Sequence, residues 1–152
     1  MADEKIEERI TRLAFDGDTL KFREFVAKLK AGLPEGTGVA LRGSVVTNKR
    51  WEDGEPFDAG GRGSSDLDVT LIGAKVMEFW NEDGYYIPAL HTKPLCDKDP
   101  TIAPALNPLR EELQKLAGRP VNFQATANFI LFSRDVLFDK LYHTVIEPQK
   151  VS

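Results

Sequence analysis

Two acidic residues interrupt a short apolar run near the middle of the chain, in residues 65–72, SDLDVTLI. The apolar residues predict a strand that is buried on one face, because successive side chains of a strand alternate between its two faces. Asp66 and Asp68 therefore project together from the opposite face. Two carboxylates so close repel each other, and a hard cation between their oxygens removes that repulsion. The segment predicts a sheet that carries a divalent-metal site.

A second short strand precedes this one along the chain and ends in a tight turn. Gly38–Arg42 is apolar enough to be buried, and Gly43 and Ser44 follow it directly. Glycine lets the backbone approach phosphate oxygens closely, and serine donates hydrogen bonds through its hydroxyl and its amide. A helix beginning near Val45 would add the positive end of its dipole. Gly43 and Ser44 are therefore candidate phosphate-binding residues.

The insert between these two strands is long and polar. Residues 48–65 show little periodicity and are rich in Gly, Asp and Pro, which predicts a mobile loop. Lys49, Arg50 and Arg62 are candidates for contact with phosphate groups, although acidic neighbours balance them and favour an ordinary solvated surface. Ser65, at the end of the insert, has two interpretations that remain open: it forms the turn before the strand, or it contacts a phosphate.

The rest of the chain is predicted to alternate helices and strands. Helical spacing of apolar residues predicts helices at residues 4–15, 18–31 and 74–80, and another beginning at Asn107. Residues 121–132 are β-like, and Ser133 is predicted to cap a last helix that reaches about Val145. Residues 81–104, with four prolines, are predicted to be irregular. This order predicts one α/β or α+β domain, residues 1–152, with a small mixed sheet flanked by helices.

Composition excludes several classes of protein. Hydrophobic residues make up 41% of the chain and charged residues 29%, and no apolar run approaches the roughly 20 residues of a membrane span. The acidic N-terminal residues lack the pattern of a secretory signal and the single Cys96 has no partner for an internal disulfide, so we expect a cytoplasmic protein without membrane association. A net charge of −4 argues against generic binding to nucleic acid.

The two motifs together resemble a known family. A strand ending in Gly43 and Ser44, a strand carrying Asp66 and Asp68 in the context SDLDV, and a third strand after a helix resemble the nucleotidyltransferase superfamily that includes DNA polymerase beta. The chain's size is nearest to the minimal nucleotidyltransferases. In this family the Gly-Ser turn holds the triphosphate and the two aspartates bind two magnesium ions. The resemblance therefore implies that Gly43 and Ser44 form the phosphate turn and that Asp66 and Asp68 are catalytic metal ligands.

One position departs from the family's pattern. The family's third carboxylate, on a neighbouring strand, helps to activate the attacking hydroxyl, and here Asn122 stands in that place. An amide neither accepts a proton as a base nor adds charge for a second metal ion. The resemblance implies a magnesium-dependent nucleotidyltransferase that moves a nucleoside monophosphate from a nucleoside triphosphate, with ATP the expected donor, to an acceptor hydroxyl. Asn122 leaves open a catalytically degraded relative that acts as a nucleotide-binding sensor or as an antitoxin-like partner subunit.

The acceptor is not identified by the sequence. A protein, an RNA and a small molecule all fit, because acceptor choice resides in loops and in whatever packs beside the sheet. The chain is too small to include the helical acceptor-binding domain of larger relatives. A homodimer or a helical partner protein is therefore expected to supply that surface.

Overall fold

The computed structural model describes residues 5–50, 53–137 and 141–148. Within them, six strands form one mixed sheet, accompanied by six α-helices and two short 3₁₀-helices. The helices are α1 (Ile6–Ala14), α2 (Thr19–Gly32), α3 (Ser44–Thr47), α4 (Ala74–Met77), α5 (Asn107–Ala117) and α6 (Phe129–Asp135), with 3₁₀-helices at Glu82–Gly84 and Pro104–Leu106. The strands are β1 (Gly38–Arg42), β2 (Leu67–Ile72), β3 (Tyr85–Ile87), β4 (His91–Thr92), β5 (Val121–Thr126) and β6 (Tyr142–Ile146). The predicted fold class is confirmed.

The sheet places the strand with the acidic pair at its centre. The strand order is β3-β4-β5-β2-β1-β6, so β2 lies between β1 and β5. It runs antiparallel to β1 and parallel to β5. In this register Arg42 is opposite Asp68 on one side, and Asn122 is opposite Asp68 on the other. Three residues from distant parts of the chain therefore lie side by side.

The two faces of the central strands differ in the polarity of most of their side chains. Every second residue is fully buried: Leu67, Val69, Leu71, Val121, Phe123 and Ala125. These side chains join the hydrophobic core with residues of α1, α2 and α5, such as Ile10, Phe25 and Leu113. The alternate positions form what we call the polar face: Arg42, Asp66, Asp68, Thr70, Asn122, Gln124 and Thr126. Any site on the central strands is therefore built on this face.

Several predicted helix ends are confirmed. Oδ1 of Asp18 accepts hydrogen bonds from the amides of Leu20 and Lys21 at 3.0 and 3.3 Å, so Asp18 caps α2, which ends at Gly32. The helix predicted at residues 4–15 is described from Ile6, and Glu4 lies outside the described residues. In the part of the chain given above, no helix combines the length and the apolar character that crossing a bilayer requires.

The C-terminal part differs from the prediction. β5 ends at Thr126, and Asn128 caps α6 by accepting a hydrogen bond from the amide of Leu131 at 3.1 Å. Ser133 lies inside α6 and is not its cap, so the predicted helix from Ser133 to Val145 is wrong. Residues 142–146 instead form β6, which pairs with β1. Their β-branched side chains favour a strand, and the free edge of β1 supplies the hydrogen-bonding partner.

Residues 81–104 are also more ordered than predicted. They contain β3 and β4, which extend the sheet beyond β5. Leu95 also pairs with the outer edge of β5, through two backbone hydrogen bonds to Phe123 at 2.6 and 3.0 Å. The reason is that the outer edge of β5 needs backbone partners, and this proline-rich segment supplies them in short pieces.

Candidate active site

Asp66 and Asp68 lie on the polar face with the amide of Asn122 between them. Nδ2 of Asn122 donates hydrogen bonds to Oδ2 of Asp66 at 3.0 Å and to Oδ1 of Asp68 at 3.1 Å. One amide nitrogen is thus within hydrogen-bonding distance of both carboxylates. A positively polarised group in this position reduces the repulsion between the two acids, as a cation would. The predicted acidic pair therefore converges on a single point.

Gly43 brings the predicted phosphate turn against the same acids. Its φ of +81° and ψ of −155° belong to a region that is essentially restricted to glycine. A methyl group added at Gly43 would lie 2.9 Å from Oδ2 of Asp68. The turn and the acidic pair, predicted separately, are therefore in contact.

Ser44 begins α3 beside this contact. Within the described residues its hydroxyl makes no hydrogen bond, which leaves it available to a ligand. However, α3 spans only Ser44–Thr47, because Asn48 adopts a left-handed conformation with φ of +56°. The helix predicted from Val45 to Arg50 is therefore reduced to one turn, and its dipole contributes little.

Replacing Gly43 by alanine should destabilise the protein and disturb Asp68. The backbone conformation costs an alanine about 1 to 3 kcal/mol, and the new methyl group would also press on the carboxylate of Asp68. Gly17→Ala is a control for a positive φ without a contact, since Gly17 has a φ of +78° but nothing within 4 Å of an added methyl group. Urea unfolding of both variants separates the two costs. An equal loss of stability in both would show that the contact with Asp68 is unimportant.

Arg42 is a site residue that the sequence reasoning missed. Its Nε donates to Oγ1 of Thr70 at 3.2 Å, its Nη2 donates to Oε1 of Gln124 at 2.7 Å, and its guanidinium carbon lies 5.7 Å from the ring centre of Phe132. Burial lowers the pKa of Arg42 below its ordinary value, and the negative charge of Asp68 opposes that change. The available signal was the alternation of polar residues in both strands, which places Thr70 and Gln124 on the same face as the acids.

A cleft of about 530 Å³ opens at Asp68 and is lined from the strands on both sides of it. It is lined by Arg42, Asp68, Asn122 and Gln124 from the central strands, by Tyr86, Lys93, Pro94 and Cys96 from the β3–β4 side, and by Asp135 and Val136 at the end of α6. The cleft is therefore continuous with the predicted site. It is large enough for part of a small ligand.

His91 fixes the α6 side of this cleft. The imidazole is fully buried, with Nδ1 2.9 Å from Oγ1 of Thr126 and Nε2 3.2 Å from Oδ2 of Asp135. Hydrogen bonds from Arg134 and His91 outweigh desolvation and hold the pKa of Asp135 below its ordinary value. Asp135 is therefore a positioned, charged group of the cleft.

The three candidate phosphate-binding cations of the insert lie away from the cleft lining. Arg50 pairs with Asp53, and its Nε donates to Oδ1 of that carboxylate at 3.2 Å. Arg62 pairs with Asp16, between α1 and α2. Lys49 is exposed to solvent. The structure does not bring these side chains together with Asp66 and Asp68.

Ser65 belongs to a network that anchors the insert just before Asp66. Its hydroxyl accepts a hydrogen bond from the amide of Asp58 at 2.8 Å, and its own amide donates to Oδ1 of Asp58 at 2.9 Å. Nη1 of Arg119 donates to both Oδ1 of Asp58 and the carbonyl of Ser65, at 2.7 and 3.1 Å. These contacts account for Ser65 as the residue that forms the turn leading into β2.

The charge of Asp58 depends on this network. Burial raises its pKa, but hydrogen bonds from Arg119 and from the amides of Ser65 and Gly63 outweigh burial and hold the pKa below its ordinary value. Phe57, beside it, is buried, and the guanidinium carbon of Arg119 lies 4.6 Å from the centre of its ring. The end of the insert that leads into β2 is therefore packed onto the domain.

The residues present fit a magnesium ion as a half-site. Magnesium prefers one or two carboxylates completed by water and substrate phosphates, which matches Asp66 and Asp68 converging on one point beside the Gly43 turn. Within the described residues, no group of three or more His, Cys, Asp or Glu side chains is placed to hold a metal.

Comparisons with known proteins add no relative. Neither the family models, nor the curated proteins, nor the solved structures gave a match to this chain.

Proposed function

We propose that this chain is a magnesium-dependent nucleotidyltransferase that moves a nucleoside monophosphate from a nucleoside triphosphate, ATP being the expected donor, to an acceptor hydroxyl. The observation that carries the proposal is the contact between Gly43 and Asp68. A turn of this kind against a carboxylate pair supports the proposal, because nucleotidyl transfer requires a site for phosphates beside a site for the metal. The resemblance to the DNA polymerase beta superfamily is consistent with it.

Each residue has a distinct role in this proposal. Asp66 and Asp68 would hold the magnesium, which when bound neutralises phosphate charge and polarises the phosphorus that is attacked. Gly43 would let the backbone approach the outer phosphates, and Ser44 would donate its hydroxyl to them. The cleft beside Asp68 would receive the acceptor hydroxyl. Lys49, Arg50 and Arg62 would contribute only if the insert moved toward the site.

Binding of a nucleotide to the whole protein tests this proposal. A nonhydrolysable ATP analogue should bind in calorimetry when magnesium is present and bind at least about ten-fold more weakly when EDTA replaces it, because the two carboxylates repel the phosphates without the ion. Equal binding under both conditions would exclude Asp66 and Asp68 as metal ligands.

One observation favours a second candidate. The amide of Asn122 occupies the point on which both acids converge, and it has no charge and no basic atom with which to activate a hydroxyl. A protein that binds the nucleotide without turnover, as a sensor or as a partner subunit, is consistent with this arrangement. Nucleotide binding with no pyrophosphate release over hours would favour the second candidate.

A further inference from the structure

The Arg42 guanidinium is a cation that the proposed function does not yet use. It lies on β1 directly opposite Asp68 and lines the cleft. Two of its nitrogens are committed to Thr70 and Gln124, and the ring of Phe132 packs against it. Its third nitrogen, Nη1, has no hydrogen-bond partner among the described residues. The side chain is therefore fixed in place with one donor group to spare.

A fixed guanidinium with a spare donor beside a carboxylate pair is suited to an oxyanion. Its charge is permanent, and its planar geometry matches phosphate oxygens. Because neighbours already hold Nε and Nη2, a ligand that bound Nη1 would pay little cost for ordering the side chain. Arg42 also lines the same cleft as Asp68 and Asn122.

The acid pair, in contrast, offers room for one ion. Asp66 and Asp68 converge on the single point where Nδ2 of Asn122 lies, at 3.0 and 3.1 Å. An ion at this point would displace the amide nitrogen, and rotation of the amide would present Oδ1 as one neutral ligand. A second divalent ion beside the first would need a further carboxylate, which position 122 does not provide. The nearby charge of Arg42 would repel it as well.

We propose that this site holds one divalent ion and that Arg42 supplies the second positive charge, by donating Nη1 to the phosphoryl group that is transferred. This inference rests on the proposed function and revises from two to one the number of ions that the family resemblance implies. Arg42 then contacts the substrate, and Thr70, Gln124 and Phe132 are the residues that position it.

Counting bound Mn²⁺ tests whether the site holds one divalent ion. Titration of the whole protein with Mn²⁺, first alone and then with one equivalent of a nonhydrolysable ATP analogue per chain, followed by loss of the free-ion electron paramagnetic resonance signal, should give one ion per chain in both cases. Asn122→Asp should bind a second ion and hold the first roughly ten-fold more tightly. Asn128→Asp is the matched control, since it adds the same charge at the cap of α6, where aspartate serves equally well, and it should leave the count at one.

Binding of a triphosphate tests whether Arg42 contacts the phosphoryl group. Arg42→Met should weaken a nonhydrolysable ATP analogue in the presence of Mn²⁺ by about ten- to hundred-fold, without weakening Mn²⁺ alone. If Arg42 had only a structural role, its replacement would weaken the binding of both Mn²⁺ and the ATP analogue, or would unfold the protein. If the methionine variant fails to fold, Arg42→Lys takes its place, because lysine keeps the positive charge but lacks the planar pair of donors of a guanidinium. This variant should still bind one ion per chain and should bind the nucleotide with intermediate affinity.

The outcomes separate this inference from the proposed function. One ion in the parent protein, with nucleotide affinity that depends on Arg42, supports both. Two ions in the parent protein, or unchanged nucleotide affinity in Arg42→Met, would overturn the inference and leave the proposed transferase standing. Absence of Mn²⁺ binding by the parent protein and by Asn122→Asp alike would overturn both.

Discussion

Asp68→Asn should reduce the rate of nucleotidyl transfer by about 1,000-fold, measured as pyrophosphate release from ATP in the presence of magnesium. The reason is that the change removes the negative charge of Asp68, which belongs to the acid pair and also contacts Gly43. The asparagine keeps the size and shape of the side chain, so that the fold should be retained. Nucleotide binding supported by magnesium should fall in parallel.

The matched control for this variant is Asp83→Asn. Asp83 is an exposed aspartate in the 3₁₀-helix Glu82–Gly84, away from the cleft lining. The Asp83→Asn variant should retain the transfer rate of the parent protein, which would show that loss of an acidic charge is not in itself harmful. Equal rates for the parent protein and Asp68→Asn would remove Asp68 from the chemistry.

Arg119→Met should lower the free energy of unfolding by about 3 kcal/mol, the usual cost of breaking a buried ion pair from one side. Both side chains of the Arg119–Asp58 pair are largely buried, at 4% and 17% exposure, and methionine keeps the aliphatic volume while leaving Asp58 without its cation. Urea unfolding at neutral pH measures the loss. The variant should also loosen the turn at Ser65 and hence the position of Asp66, so that magnesium-supported nucleotide binding should weaken too.

A second ion pair on the same insert serves as the control. Arg62 pairs with Asp16, but the two side chains are 79% and 52% exposed. Arg62→Met should therefore change stability by no more than about 0.5 kcal/mol. Similar losses in the two variants would show that burial of the Arg119 pair is not what anchors the insert.

At low pH, the contribution of Arg119 to the free energy of unfolding should disappear. The pKa of Asp58 is lower in the folded protein than in the unfolded chain, so the stability that its charge contributes is present at neutral pH and is lost as the pH falls through the folded value. The difference between the parent protein and Arg119→Met should therefore shrink toward low pH.

Local patterns were sufficient to predict that the two acids share one face of a strand. The alternation in residues 65–72 predicted that Asp66 and Asp68 share a face, and the core residues between them are fully buried. The contact of Gly43 with Asp68 could not be predicted, because it depends on the register between β1 and β2, which the pattern of either strand alone does not determine. Arg42 was missed because its hydrogen bonds to Thr70 and Gln124 also depend on strand register, whereas the alternation indicates only that those two polar residues share a face with the acids.

The error at the C-terminal end has a different cause. Apolar residues in residues 133–145 fit helical spacing, but the segment contains a helix end, a turn and a strand. Tyr142–Ile146 is a strand because β1, about 100 residues earlier, offers an edge, and pairing over such a distance leaves no local signal.

The most direct test of the central claim is a crystal structure of the protein with Mn²⁺ and a nonhydrolysable ATP analogue, with the metal located by its anomalous scattering. We expect one peak about 2.1 Å from carboxylate oxygens of both Asp66 and Asp68, with the phosphates against Gly43 and Ser44 and one phosphate oxygen on Nη1 of Arg42. A triphosphate bound elsewhere on the chain, with no metal between the two aspartates, would contradict it.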